Sequence, residues 1–487
     1  MEYNRLIIYM RGNNLSFEER ELEILRVAVD KAESRVNRKL AQSDLIREVN
    51  AIVEQFIRDK KLICYGGTAI NNILPSEDQF YDKNVDIPDY DFFSVNAVND
   101  AKELADIYLR QGYSDVEAKS GVHKGTYKVF VNFIPVADVT YIIPDIYKSL
   151  KKGIIKVNGL SYAPPDFLRM GMYLELSRPD GDVSRWEKVL KRLVLLNKHY
   201  PINNSRCDSV NFQRVFEGES GDRDNIYYTI RDSIIDQGLV FFGGFASTMY
   251  GKYMPQKQRK QLLTIPDFDV LTEDPEKTST IIKERLIEKG YNKVNVVKKA
   301  PVGELVDTHY EIVVDKETLC ILYKPNACHS YNEIRVGKKK IKIATIDTML
   351  SFYLAFIYAN RPYFDTERLL CMSEYLFSVQ SKNRLKQKGL LKRFTINCYG
   401  RQDTMEDIRA AKAKKFKELQ NKRGSAEYEE YFLRYTPGDI KNKQNKKNIS
   451  KKRIVKKKVT RKGKKIAASK KTRKNTRFAR FKNNLGF

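Results

Sequence analysis

Cysteine, histidine and tryptophan are scarce in this chain, at six, four and one of 487 residues. Six cysteines with no Cys-x-x-Cys and no regular spacing exclude a small disulfide scaffold, and they predict reduced thiols in a cytosol-like compartment. Cys328-His329 is the single adjacent Cys/His pair, and no sequence neighbour completes a zinc set. Long apolar runs are missing too. The longest nearly apolar stretch, Met349 to Ala359, falls short of the ~20 residues needed to cross a bilayer. The start Met-Glu-Tyr-Asn-Arg lacks the basic, apolar and small-residue regions of a signal peptide. These absences predict a soluble intracellular protein with no membrane partner. What is present, 42% hydrophobic and 11% aromatic residues, excludes global disorder, and the length suggests roughly three domains.

Acidic residues vanish at one end. From Lys441 to Phe487 there are 21 Lys or Arg and no Asp or Glu, so this tail supplies most of the net charge of +28 and residues 1–440 only +7. A segment so charged and so poor in large apolar residues cannot offset its chain entropy by burial, which predicts a disordered polycation. Its natural partner is a polyphosphate, through counterion release that is strong, salt-dependent and indifferent to sequence. Lys451, Lys452, Arg453, Lys456, Lys457 and Lys458 are the expected nucleic-acid contacts, RNA and DNA being equally served by the run itself, with a nuclear-import signal or a solubilising tail as the alternative. Phe478, Phe481 and Phe487 are available to stack on bases.

The remainder contains a repeat. Phe56 to Gly67 (FIRDKKLICYGG) aligns without a gap with Ser233 to Gly244 (SIIDQGLVFFGG) at an offset of 177. Pro88-Asp89-Tyr90-Asp91 answers Pro266-Asp267-Phe268-Asp269 at 178, Asp166 answers Asp347 at 181, and Arg178-Pro179 answers Arg361-Pro362 at 183. Offsets that drift upward indicate a tandem duplication with small loop insertions. Each copy reads as a helix, a short apolar strand, a Gly-Gly turn, a helix and an Asp-x-Asp strand. After these come a helix (Ala97 to Gln111, or Pro275 to Lys289), a β pair and amphipathic helices near 166–198 and 347–380. Upstream, Ser16 to Glu19 forms a capping box opening a helical segment.

On a strand, Asp89 and Asp91 point to one face, where two oxygen ligands suit a hard divalent cation. The pair alone is a weak signal, because 61 acidic residues in 487 give about eight acidic-x-acidic triplets by chance. Its setting strengthens it. Gly66-Gly67 stands between strand and helix, where absent side chains let a phosphate approach free N–H donors, and Thr68 offers a hydroxyl. Asp138 faces away from Ala137 and Val139 on the second of two alternating strands joined by a connection containing Pro135. If that strand lies beside Asp89, three carboxylates converge and repel unless cations bind between them, as in two-metal phosphoryl transfer. Of the remaining polar groups, Arg185 and Lys188 are candidate nucleotide contacts, and His123 and Lys124 candidate phosphate contacts. Trp186 reads first as helix packing, with a place in the cleft as the alternative.

Strand, Gly-Gly, helix, Asp-x-Asp and a later Asp is the pattern of the polymerase β-like nucleotidyltransferases. The fuller strings YGGTAI at 65–70, PDYDFFS at 88–94 and GTYKV at 125–129 resemble the poly(A) polymerase catalytic subunits of large cytoplasmic DNA viruses, over roughly residues 50–390. The spacing of 21 residues from Gly67 to Asp89 exceeds that usual in the wider superfamily. The resemblance implies a template-independent polymerase adding AMP from ATP to mRNA 3′ ends, with Mg2+ or Mn2+. Asp89 and Asp91 would bind metal and ATP phosphates, Asp138 the metal that activates the RNA 3′-hydroxyl, and Gly66, Gly67 and Thr68 the triphosphate. It also implies a virion and host-cytoplasm (viral factory) location. A homodimer and a viral processivity subunit both stay open as partners. A related nucleotidyltransferase with another donor or acceptor, or a non-catalytic RNA-binding subunit, are the alternatives.

Aligning Tyr310 to Val314 with Tyr127 to Val131 carries Asp138 to Ile321, or to Cys320 if the connection is one residue shorter. Neither side chain replaces a hard oxygen ligand, so the second copy reads as a non-catalytic platform. The expected architecture is α/β (α+β), two tandem nucleotidyltransferase-like domains, each a small mixed sheet with flanking helices. Expected boundaries are an N-terminal helical segment (1–50), a catalytic domain (51–200), a linker (201–225), a degenerate second domain (226–390), a helical extension (391–440) and the tail (441–487).

Overall fold

The computed structural model describes residues 43–81, 88–202, 220–259 and 267–438, with isolated positions in 16–32 and at Cys207, Val210, Phe212 and Leu262. The basic tail with Lys451 to Lys458, most of the expected linker and Glu19 of the expected capping box lie outside the described residues. Helix α1 (Asp44–Lys60) begins where the Ser43 hydroxyl accepts the Ile46 N–H, and ends where Lys61 turns left-handed at φ 53°. Its buried face, Ile46, Val49, Val53, Phe56 and Ile57, recurs at helical spacing. Next come β1 (Ile63–Cys64), α2 (Gly66–Ile73), β2 (Tyr90–Ser94), α3 (Ala97–Arg110), β3 (Val116–Ser120), β4 (Thr126–Val131) and β5 (Ile134–Tyr141). The first copy closes with α4 (Pro144–Lys151), β6 (Ile155–Val157), β7 (Leu160–Tyr162), α5 (Pro165–Leu176) and α6 (Trp186–His199).

The second copy runs α7 (Ser220–Asp236), β8 (Val240–Phe241), α8 (Gly244–Tyr250), β9 (Phe268–Leu271), α9 (Pro275–Glu288), β10 (Val294–Lys299), β11 (His309–Val314) and β12 (Glu317–Tyr323). It ends with β13 (His329–Val336), β14 (Lys339–Ala344), α10 (Ile346–Ala359) and α11 (Thr366–Lys382). An extension adds β15 (Cys398–Tyr399), α12 (Met405–Leu419), α13 (Ala426–Phe432) and β16 (Arg434–Tyr435).

Strand order gives the repeat its three-dimensional form. The sheets run β3-β4-β5-β2-β1-β7-β6 and β10-β11-β12-β9-β8-β14-β13, position for position the same. In both, the short strand before the glycines is antiparallel to the Asp-x-Asp strand and parallel to its other neighbour. The extension contributes an edge strand to each sheet, β16 beside β3 and β15 beside β13. Helices α5 and α10 pack on one another, with Phe167 edge-on to Tyr358 at 5.2 Å. The repeat pair Asp166 and Asp347 sits in their first turns, each neutralised by an arginine, Arg169 and Arg393 respectively. Helix α10 is the apolar run of the sequence, buried between α5 and α11. Among the described residues no helix is long and apolar enough to cross a membrane.

Two expectations need correction. The β4–β5 turn is Asn132-Phe133, both left-handed at φ 49° and 65°, the geometry of a two-residue hairpin loop. Pro135 lies within β5, at the irregularity opposite Phe130, where its missing N–H is tolerated. The thiols are not all reduced either. Cys207 is joined to Cys371 and Cys328 to Cys398, leaving Cys64 and Cys320 free and buried. Both bridges link residues far apart in sequence, 164 and 70 positions, so no local spacing announces them.

Candidate functional site

Register builds the site. Asp91 on β2 lies directly opposite Asp138 on the parallel β5, and Asp138 lies opposite Lys128 on the antiparallel β4. Neighbouring strands stand about 4.8 Å apart and opposed residues share a face, so the three side chains form one row. Asp89 stands immediately before β2, and its carbonyl accepts the Thr68 hydroxyl at 2.8 Å. The structure thus brings Asp89, Asp91 and Asp138 together beside the Gly66-Gly67 turn.

Electrostatics register this crowding. Burial first, then Asp89 and Asp138, push the Asp91 carboxyl up to about 7. Asp89 is likewise raised by burial and by Asp138, with Lys128 opposing. One Asp138 oxygen is held by Lys128 Nζ at 2.5 Å, whereas the other is buried with no hydrogen-bond partner. A buried orphan carboxylate oxygen next to two further carboxylates is what hard divalent cations satisfy, so the donor set fits such ions.

The glycines answer to space as much as to phosphate. Gly66 is left-handed at φ 74°, and a Cβ there would run into the Asp91 carboxylate. A Cβ on Gly67 would stand 2.7 Å from Tyr81 Oη and 2.8 Å from Arg192 Nη1. Helix α2 starts at Gly66 with no side-chain cap, so its first-turn N–H groups have no intrahelical acceptor.

Other sequence candidates scatter. Thr68 is buried, and its proton goes to the Asp89 carbonyl, so it holds the Asp89 segment instead of reaching outward. Arg185 pairs with Glu175 through Nε at 3.1 Å and is close enough to lower the Asp91 carboxyl. Lys188 is exposed on α6. Trp186 packs, donating from Nε1 to the Glu175 carbonyl at 3.0 Å with Phe394 at 5.7 Å. Lys124 is paired with Glu430 at 2.9 Å; His123 is exposed. Sequence reasoning missed Lys128 and Arg192. Lys128 was detectable as the outward residue between buried Tyr127 and Val129, once the hairpin register is known; Arg192 had no local signal.

In the second copy Ile321 lies opposite Asp269, and Glu311 lies opposite Ile321. Ile321 is therefore the counterpart of Asp138, and Cys320 faces away. The row that reads acid, acid, lysine in the first copy reads acid, isoleucine, glutamate here. Tyr353 from α10 donates to the Phe242 carbonyl at 3.2 Å, and Phe242 packs on Phe352 at 4.8 Å. Gly243 persists because the Asp269 carboxylate occupies the position of its Cβ.

The structure thus carries a Gly-Gly turn, an Asp-x-Asp strand and a third aspartate in register on one mixed sheet, as the motifs led one to expect. Residues 51–182 match the family model described as poly(A) polymerase catalytic subunit, which bears out the resemblance read from the motifs. The chain is 34% identical over 162 residues to the "Putative poly(A) polymerase catalytic subunit" of Acanthamoeba polyphaga mimivirus, covering 32% of this chain and 27% of that protein. It is 36% identical over 170 residues to the protein of the same name from African swine fever virus (strain Badajoz 1971 Vero-adapted), covering 32% and 35%. The matched region thus spans about a third of the length of these curated relatives. The crystal structure of the Megavirus polyadenylate synthase superposes with a TM-score of 0.73 at 22% identity, over 91% of this chain and 92% of that one. At that identity the likeness establishes the two-sheet fold.

Proposed function

We propose that the chain is a template-independent poly(A) polymerase that transfers AMP from ATP to the 3′ end of RNA, with residues 51–200 the catalytic copy and 226–390 a non-catalytic one. The observation that carries this reading is the row of Asp91 and Asp138, with Asp89 beside it and one buried Asp138 oxygen unsatisfied. The family match over residues 51–182 supports it and implies ATP and a divalent metal in general.

The chain's own residues do mostly positioning. Asp89, Asp91 and Asp138 would hold the divalent cations, and Asp138 with Asp91 would mark the place where the RNA 3′-hydroxyl meets the α-phosphate. Bound divalent cations supply charge neutralisation and acidify the attacking hydroxyl. First-turn N–H groups at Gly66 and Gly67 donate to a phosphate. Lys128 offsets the negative charge of the row and holds one Asp138 oxygen, leaving the other without a hydrogen-bond partner. Holding hydroxyl and phosphate in line accounts for a large part of such a barrier. The tail, Lys451 to Lys458 included, adds sequence-independent grip on RNA.

The test is extension of labelled RNA with each nucleotide supplied separately, with Asp89→Asn as control. The expected result is ATP-dependent elongation that falls at least about a hundredfold in the variant. Incorporation of another nucleotide in preference would redirect the reading to a related transferase. Tight RNA binding without incorporation by the wild type would overturn it.

A further inference from the structure

Arg192 and Tyr81 come from distant parts of the chain and meet over the second glycine of the turn. Arg192 Nη2 donates to Tyr81 Oη at 2.6 Å, and both heads lie within 2.8 Å of where a Gly67 Cβ would stand. Neither is held there loosely. The Phe80 and Tyr81 N–H groups both donate to Oδ1 of Asn71, a buried side chain on α2, at 2.8 and 2.9 Å. The guanidinium carbon lies 4.7 Å from the Phe80 ring and 5.4 Å from the Tyr81 ring. Asp78, three residues earlier, is tied to Lys198 and His199 further along α6. The 76–81 segment is thus strapped to both helices, and the strap aims one guanidinium at the turn.

We propose that Arg192 binds the distal, non-transferred phosphates of the nucleotide, with Tyr81 as its positioning residue; this rests on the nucleotidyl-transfer reading above. On the other side of the same two-residue turn, the Asp91 carboxylate closes on Gly66. Chaining standard bond lengths across the turn places carboxylate and guanidinium at most about 12 Å apart, within the reach of one metal-bound triphosphate. Among the described residues Arg192 hydrogen-bonds a phenol and interacts with the Glu175 carboxylate only through space, so N–H donors remain for an anion. A guanidinium suits such oxygens because its planar fork makes paired charge-assisted bonds. The requirement for glycine at 67 follows too, since a side chain there would displace Arg192 from the turn.

The test compares wild type, Arg192→Ala, Arg192→Lys and Tyr81→Phe as full chains. In the extension assay with Mg2+, Arg192→Ala should raise the KM for ATP about tenfold or more. The KM for RNA and inhibition by adenosine should stay near wild type. Calorimetric binding of inorganic tripolyphosphate with Mg2+ should weaken in parallel, Arg192→Lys should recover part of it, and Tyr81→Phe should lose less than Arg192→Ala. Unchanged tripolyphosphate affinity in a folded Arg192→Ala variant would overturn the proposal. So would loss of adenosine inhibition alongside that of tripolyphosphate, which marks a structural role. If the wild type fails to extend RNA, the polymerase reading falls, while tripolyphosphate binding still decides the role of Arg192.

Discussion

A charge-repelling row should make the cation-free protein less stable than it would be without the row. Asp91 is raised from 3.8 to about 7, by burial first and then by Asp89 and Asp138. The folded state therefore binds the proton more tightly than the unfolded chain, and stability declines as pH rises from 3.8 through about 7. Above that, a shift of this size corresponds to a penalty of at most about 4 kcal/mol, less whatever the neighbouring carboxylates regain by relaxing. Asp91→Asn keeps the shape and removes the charge. In chelator at pH 8 it should stabilise the protein by about 2–4 kcal/mol, or raise Tm by roughly 2–4 °C for a unit of this size. It should also abolish both RNA extension and the rise in Tm that Mg2+ gives the wild type. Differential scanning calorimetry with and without Mg2+ reads both effects. A variant with unchanged or lower Tm in chelator that still gains stability from Mg2+ would refute the convergence of three carboxylates on a cation site.

Asp267→Asn with Asp269→Asn should cost less than about threefold in extension rate, against at least about a hundredfold for Asp89→Asn, since Ile321 has already removed the third ligand; equal losses would refute the division of labour. Deleting residues 441–487 should weaken RNA affinity and flatten its dependence on salt by about 0.7 in log-log slope per lost phosphate contact, while single-turnover chemistry at saturating RNA is retained. A collapse of that chemistry would give the tail another job. His329 is buried, donates from Nε2 to Asn326 at 2.9 Å and leaves Nδ1 bare; burial and then Arg178 hold it down at about 3. The unfolded chain then binds the extra proton below pH 6.5, so acidification from pH 7 to 5 should cost about 2 kcal/mol through this ring. His329→Gln should lose that much less over the same interval, as read by urea unfolding.

Periodicity and repetition made much of this protein legible in one dimension. The 177–183 offsets named two copies of one unit, the helices at 97–111 and 275–289 are observed within a residue of those ends, and Asp89, Asp91 and Asp138 were picked out by alternation beside a Gly-Gly turn. Such signals survive in sequence because a strand's two-residue period and a turn's need for glycine are local constraints. Register between strands is not local. Whether Cys320 or Ile321 stands in for Asp138 depended on one residue of loop, and only the pairing of β12 with β9 decided it. Lys128 became part of the row only when β4 was laid against β5, and Arg192 reached Gly67 only because the 76–81 segment is strapped to α6. The disulfides span 164 and 70 residues. Each of these contacts is made by chain closure over many residues, a choice set by packing of the whole core, on which neighbouring residues carry no mark.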